Sequence, residues 1–266
     1  MYVDPSYDGS QGAPAGTFTA PFTSLQAGLD TVRPGSTVIV QLSNGEYVVE
    51  PDAPLIIRGN CTILGPGGPA NVIVTCRSAL NCSLFQADGF QLRTDSIFLN
   101  RSYTWAVTFD GITFDRPGVP TLDALAPLVP PDGLSTAGMT ASNAGLSLAV
   151  RDANLTVRNC VFKGQDRGVN AVVFTGGTLL MEDVVFQNNS VWGPLFFASS
   201  ATISFNRVTV QDCIRPFASS DWANVLGPLQ WGLFRFVASN STLVDFAWLR
   251  NKAVISGVHA SLDGVF

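Results

Sequence analysis

Val157-Arg158-Asn159-Cys160-Val161-Phe162, Met181-Glu182-Asp183-Val184-Val185-Phe186 and Phe205-Asn206-Arg207-Val208-Thr209-Val210 share one pattern, apolar at the first, fourth and sixth places, and start 24 residues apart. Phe109-Asp110-Gly111-Ile112-Thr113-Phe114 repeats it 48 residues earlier, two periods, which leaves room for one further coil with a Pro-rich excursion. Looser copies begin at Ala87, Leu243 and Leu262. A fixed period of roughly 20 to 50 residues marks a solenoid. The fourth-and-sixth apolar pair is strand alternation, and the polar pair before it is a bend. The expected fold is all-β, a parallel β-helix with coils about 4.8 Å apart. Its inward columns are Phe90, Ile112, Cys160, Val184, Val208 and Phe246 beside Leu92, Phe114, Phe162, Phe186, Val210 and Trp248. Turn formers follow each copy, among them Gln187-Asn188-Asn189 and Gln211-Asp212, and their amides are placed to stack into a ladder between coils.

Composition agrees with a continuous interior. Of 266 residues, 46% are apolar and only 13% charged, against a usual charged share of roughly 25%. The net charge of −5 and the absence of a basic cluster exclude a nucleic-acid partner. The most apolar stretch, from about Trp222 to Trp248, is broken by Arg235, Asn240 and Asp245, so no membrane span is expected in this chain.

The beginning differs from the rest. Phe22, Leu25, Gly28 and Leu29 lie at helical spacing, Thr23 or Ser24 is placed to cap, and Pro34-Gly35 ends the run. A short capping helix over the first coil is expected, followed by a strand from Thr37 to Leu42. Residues 1–47 are thus the entry region and residues 48–266 the coils of one domain, with loop insertions near 116–142 and 213–240. The chain stops inside a repeat, at Asp263-Gly264-Val265-Phe266, which predicts either continuation beyond residue 266 or a protein partner over this end.

Six N-x-S/T sequons, at Asn60, Asn81, Asn100, Asn154, Asn188 and Asn240, point to the secretory route, hence to an extracellular or cell-surface glycoprotein. In such a compartment one disulfide is expected among Cys61, Cys76 and Cys82, while Cys160, at a core position of the repeat, reads as a buried thiol. Asp4 and Asp8 read as turn formers rather than metal ligands, and no metal or cofactor is expected. Trp222, Trp231, Phe234 and Phe236 in the second insertion are candidate interface aromatics.

The opening Tyr2-Val3-Asp4-Pro5, Asp8-Gly9, Pro21-Phe22-Thr23-Ser24-Leu25-Gln26-Ala27, Pro34-Gly35-Ser36-Thr37-Val38 and Gly45-Glu46-Tyr47 resembles the entry region of extracellular pectin-lyase-like proteins. That resemblance implies a right-handed, single-stranded parallel β-helix. Gly176-Gly177-Thr178 with Phe186-Gln187-Asn188-Asn189 is similar to repeats of bacterial surface adhesins. The excess of Arg over Lys and the sequons suggest a green-algal matrix or ciliary-surface protein. The N-T-D, D-D, G-H-G and R-I-K motifs of polygalacturonases are missing, and the sole His is His259. Asp110, Arg158, Glu182 and Asn206 would occupy one outward column, either gripping a sugar acid or forming a solvated face with an Arg158/Glu182 pair. The expected function is a non-catalytic structural or adhesive module held by other protein subunits; the alternative is a polysaccharide-binding or polysaccharide-degrading protein, with carbohydrate as partner.

Overall fold

A computed structural model describes residues 1–49, 55–76, 85–88, 105–115, 148–164, 166–168, 172–191, 195–213, 234–251, 255–258 and 261–264. Within them the strands pair in parallel throughout. Three strand rows wind about one core. The longest row stacks Thr37–Leu42, Asn60–Leu64, Trp105–Asp110, the middle of Leu148–Lys163, the middle of Val172–Gln187, the first part of Thr202–Gln211, Asn240–Val244 and Ser261–Gly264. This is the right-handed parallel β-helix of pectin-lyase-like proteins.

The corners explain the repeat. Asn159, Asp183, Arg207 and Asp245 all have φ near +50°, and Gly111 precedes them at +73°. A left-handed residue at the third place breaks strict alternation. Position one therefore points inward, two outward, three makes the corner, and four and six point inward again. Asn and Asp tolerate this conformation better than other non-Gly residues. A second corner column holds Gly164, Asn188, Asp212 and Arg250, and a third Gly176, Ser200 and Ala238, all with positive φ.

Inside, Phe114, Phe162, Phe186, Val210 and Trp248 follow one another in register, as do Cys160, Val184 and Val208. The Phe114 and Phe162 rings stack at 4.5 Å and the Phe162 and Phe186 rings at 4.8 Å, close to the coil spacing. Among the described residues the expected stacking of amides between coils is limited to one bond, Gln211 Nε2 donating to Gln187 Oε1 at 3.1 Å; in the next column Cys213 stands between Asn189 and Asn251, which turn to backbone carbonyls instead. Asn189 is buried and its Nδ2 donates to the Phe162 carbonyl at 3.0 Å, while Asn251 Nδ2 donates to the Val210 carbonyl at 2.7 Å. Asn188 stays exposed at the corner.

At the start, Leu25–Leu29 forms the capping helix. Ser24 Oγ accepts from the Ala27 amide, and Leu25, Gly28 and Leu29 are buried. Gly28 leaves no room for a larger residue, since a Cβ there would lie 2.8 Å from Val3 Cγ2. The strand Thr37–Leu42 has the expected bounds.

Four expectations are corrected. No coil lies between the Phe109 and Val157 copies, because Phe109 pairs directly with Val157; residues 116–147, which hold the first insertion, lie outside the described residues. Ala87 belongs to another row, opposite Ile57 and Val150, and the coil before Phe109 instead presents Ile63. Leu262 pairs with Ser241, so the final copy is offset by two residues. Phe234 and Phe236 are fully buried in the strand Phe234–Val237, which lies within the span expected as the second insertion. They are core, not interface; Trp222 and Trp231 lie outside the described residues.

One inward position breaks the pattern. Ser241 stands in a column with Val107, Leu155, Leu179 and Ile203, is 2% exposed, and its Oγ has no hydrogen-bond partner. An unpaired buried hydroxyl costs about 1–3 kcal/mol. Ser241→Ala is therefore expected to raise stability by about 1 kcal/mol in urea unfolding; destabilisation of that size would mean that the hydroxyl has a partner in solution.

Candidate functional site

Strand alternation puts three side chains of each long-row strand on the outer face. On the strand through Asn154 these are Asn154, Thr156 and Arg158, and parallel register extends each into a column. The first column runs Ala106, Asn154, Thr178, Thr202 and Asn240, entered by Asn60, whose Oδ1 accepts from the Ala106 amide at 2.9 Å. The second runs Thr62, Thr108, Thr156, Leu180, Ser204 and Thr242. The third runs Leu64, Asp110, Arg158, Glu182, Asn206 and Val244. A shallow, open depression of about 310 Å³ adjoins the first column, lined by Gly177, Ser200, Ala201, Thr202, Ala238 and Asn240.

The charged column joins the corner column beside it, but not through the expected pair. Arg158 Nε donates to Asp110 Oδ2 at 2.9 Å, and Asn159 Nδ2 to Asp110 Oδ1 at 2.9 Å. Glu182 is held by Arg207 instead. Arg207 Nη2 donates to Glu182 Oε1 at 2.8 Å, while its Nε and Nη2 grip Asp183 at 2.6 and 2.8 Å. Asn206 Nδ2 adds a contact to Glu182 Oε1 at 3.3 Å. Further corner clasps join Lys163 to Asp115 at 3.2 Å and Arg250 Nε to Asp212 at 2.6 Å.

Hydrogen bonds from Arg207, aided by its charge, hold the Asp183 carboxyl below the usual carboxylate range. Asp183 is therefore charged at neutral pH and unsuited to give up a proton there. A depressed carboxylate contributes stability above its unfolded pKa, and that contribution disappears as pH falls through the lower folded value. Arg207→Ala is expected to return the Asp183 titration to about 3.8 in carboxyl NMR. It should also lower stability near pH 6, and that loss should shrink as pH falls through the lowered titration of Asp183 in the unsubstituted protein. An ordinary Asp183 titration in the unsubstituted protein would mean that the clasp is absent in solution.

The remaining candidates separate cleanly. Asn154, Asn188 and Asn240 are exposed and Asn60 is half-buried, whereas Asn81 and Asn100 lie outside the described residues. Cys61 is a buried free thiol, so it is removed from the disulfide candidates; burial pushes it up to about 12. Cys76 is disulfide-bonded, and its partner lies outside the described residues, as does Cys82. Cys160 is the expected buried thiol, also pushed up to about 12, chiefly by burial, and Cys213 is a third buried thiol. Asp4 and Asp8 accept from Ser6 and Ser10, as turn formers do. His259 lies outside the described residues. Among the described residues, no helix is long and apolar enough to cross a membrane, and no group of three or more His, Cys, Asp or Glu is arranged to hold a metal ion.

Sequence reading missed the first two outer columns. Their signal was present as Asn-x-Thr, Thr-x-Ser and Ala-x-Thr, an alternation of short polar or small side chains around an inward apolar residue. Asn60 with Thr62, Asn154 with Thr156 and Asn240 with Thr242 are three of the six sequons, and each spans both columns. Half of the sequons are thus accounted for by strand alternation, which weakens their excess as a sign of secretion.

No protein-family profile and no curated protein sequence matches the chain. Pectin methylesterase PemA from Erwinia chrysanthemi superimposes on 94% of it with a TM-score of 0.54 at 11% identity, and the chain spans 65% of that protein's length, less than two thirds. A mutant pectin methylesterase in complex with a hexasaccharide covers 94% of this chain and 80% of its own, at 12% identity and a TM-score of 0.46. The likeness to PemA establishes the fold. It also corrects the expectation that this is not an enzyme: PemA is an esterase built on the same coils. Missing polygalacturonase motifs therefore exclude one kind of chemistry only.

Proposed function

We propose that this protein is a polysaccharide-binding, pectin-type β-helix protein whose site is the outer face of its longest strand row. One observation carries the reading: hydroxyl, amide and charged side chains repeat in register from coil to coil across that face. A polysaccharide also repeats, presenting the same hydroxyls at each sugar, so an array of donors and acceptors at constant spacing is complementary to it. PemA, which shares the fold, acts on such a polymer, as its name states. Work on a polysaccharide places the protein outside the cell in this reading.

The test is affinity electrophoresis of the whole chain through gels containing polygalacturonate, methyl-esterified pectin, xylan, mannan or soluble glucan. Retardation by at least one is expected, with loss in a Thr156→Glu/Thr202→Glu variant that still unfolds cooperatively. Free migration through all five gels would overturn the reading.

A further inference from the structure

We infer, resting on the polysaccharide reading, that the ligand is an uncharged glycan chain lying along the coil axis and contacting one coil per sugar. Charge is the first argument. Over seven strands, from Thr37 and Ile39 through Asn240 and Thr242, neither of the two hydroxyl-rich columns carries an ionisable residue, and the eighth strand adds only an acidic one, Asp263 opposite Thr242. The neighbouring charged column offers no free cation to a uronate, because Arg158 and Arg207 are closed onto Asp110, Asp183 and Glu182. Those three carboxylates outnumber the two guanidiniums, and the whole chain carries −5. A polyuronate approaching this face meets like charge at every scale.

Direction follows from the dimensions. A long-row strand such as Asn240–Val244 has five residues and presents three outward side chains, so a glycan running along one strand would touch a single coil. Eight strands stack across the row, a span of about 34 Å at the coil spacing. That spacing is close to the length one sugar adds to an extended 1,4-linked chain, so each successive sugar meets the next member of both columns, at least one of them a hydroxyl or an amide at every coil from Thr37 to Asn240. Amphipathic sugars also suit the face: Thr methyls and the exposed Leu180 can meet ring C–H groups while hydroxyls and amides meet the ring edges. The depression beside Thr202 and Asn240 flanks the same line.

Calorimetry of the whole chain with cellohexaose, mannohexaose and hexagalacturonate separates the outcomes. At least one neutral hexaose is expected to bind, more tightly than hexagalacturonate by about tenfold, with an affinity that hardly changes between low and high salt. Affinity for the neutral oligomer should climb from dimer to hexamer, and Thr156→Asp should weaken it about tenfold without lowering Tm. Tighter binding of hexagalacturonate would overturn the uncharged ligand while leaving the polysaccharide reading standing. An affinity already complete at the disaccharide would overturn the axial placement. Failure of all three hexaoses, together with free migration in every polysaccharide gel, would overturn both.

Discussion

Phe186→Ala should destabilise the protein by about 3–5 kcal/mol, the usual cost of removing a buried Phe side chain. Phe186 is fully buried, stacks on Phe162 at 4.8 Å and meets the edge of Phe234 at 5.4 Å. Its position gives the loss a particular character. In a solenoid each coil contacts chiefly its neighbours, so a cavity cannot be filled by collapse along the column without shifting the parallel pairing on both sides. Phe186 pairs with Phe162 below and Val210 above, through backbone that is hydrogen-bonded in both directions. Phe186→Leu, which keeps most of the volume, should lose much less. Urea unfolding of both variants is the measurement; a loss under about 1 kcal/mol for Phe186→Ala would show that the column is not packed as described.

That column was legible because the repeat writes it directly: Phe162, Phe186 and Val210 stand 24 residues apart with no insertion between them. Legibility failed where insertions changed the spacing. Phe109 and Val157 are neighbours in space although 48 residues separate them in sequence. The 24-residue period alone implies one coil more than the pairing contains. Ala87 failed for a related reason: Ala87-Asp88-Gly89 looks like the approach to a corner, but strand alternation is common to all three rows and does not say which row a segment joins. The second insertion was drawn too long because Phe234 and Phe236 lack the polar bend of the repeat, although Phe-x-Phe is itself an inward alternation.

The outer face shows the opposite relation between sequence and site. Asn-x-Thr reads as a modification signal in one dimension, and its second meaning lies in the register, which places Asn60, Asn154 and Asn240 in one column and Thr62, Thr156 and Thr242 in the next. A linear motif and a two-dimensional array use the same residues. The charged column was foreseen in its members, Asp110, Arg158, Glu182 and Asn206, but not in its bonding. Arg158 reaches back to Asp110, and Glu182 turns to Arg207, because the corner residue one place later brings a guanidinium within 2.8 Å. The structural or adhesive reading loses support from both sides, since three of the six sequons have a geometric origin and a protein of the same fold, PemA, is an esterase.

Replacement of Gly111 distinguishes two reasons for a glycine at a corner. Its φ of +73° is one reason, yet the same corner in the following coils is made by Asn159, Asp183 and Arg207, all with positive φ. Conformation alone would make Gly111→Asn nearly neutral, because Asn adopts the left-handed region readily. The second reason is contact. A Cβ on Gly111 would lie 2.3 Å from the Gly65 carbonyl oxygen, and one on Gly65 would lie 2.5 Å from the Gly111 oxygen. Here two coils approach backbone to backbone, and the Gly65 amide donates to the Asp110 carbonyl at 2.8 Å. Because the obstacle is backbone rather than a flexible side chain, Gly111→Asn and Gly111→Ala should both destabilise by about 2–3 kcal/mol, as overpacking does. The reverse experiment follows from the same geometry. Asn159→Gly, at the equivalent corner one coil on, should cost less, through chain entropy and the lost bond to Asp110. Equal, small losses for Gly111→Asn and Asn159→Gly would leave conformation as the sole reason for the glycine; a loss confined to Gly111 would identify the close approach of the two coils as the constraint.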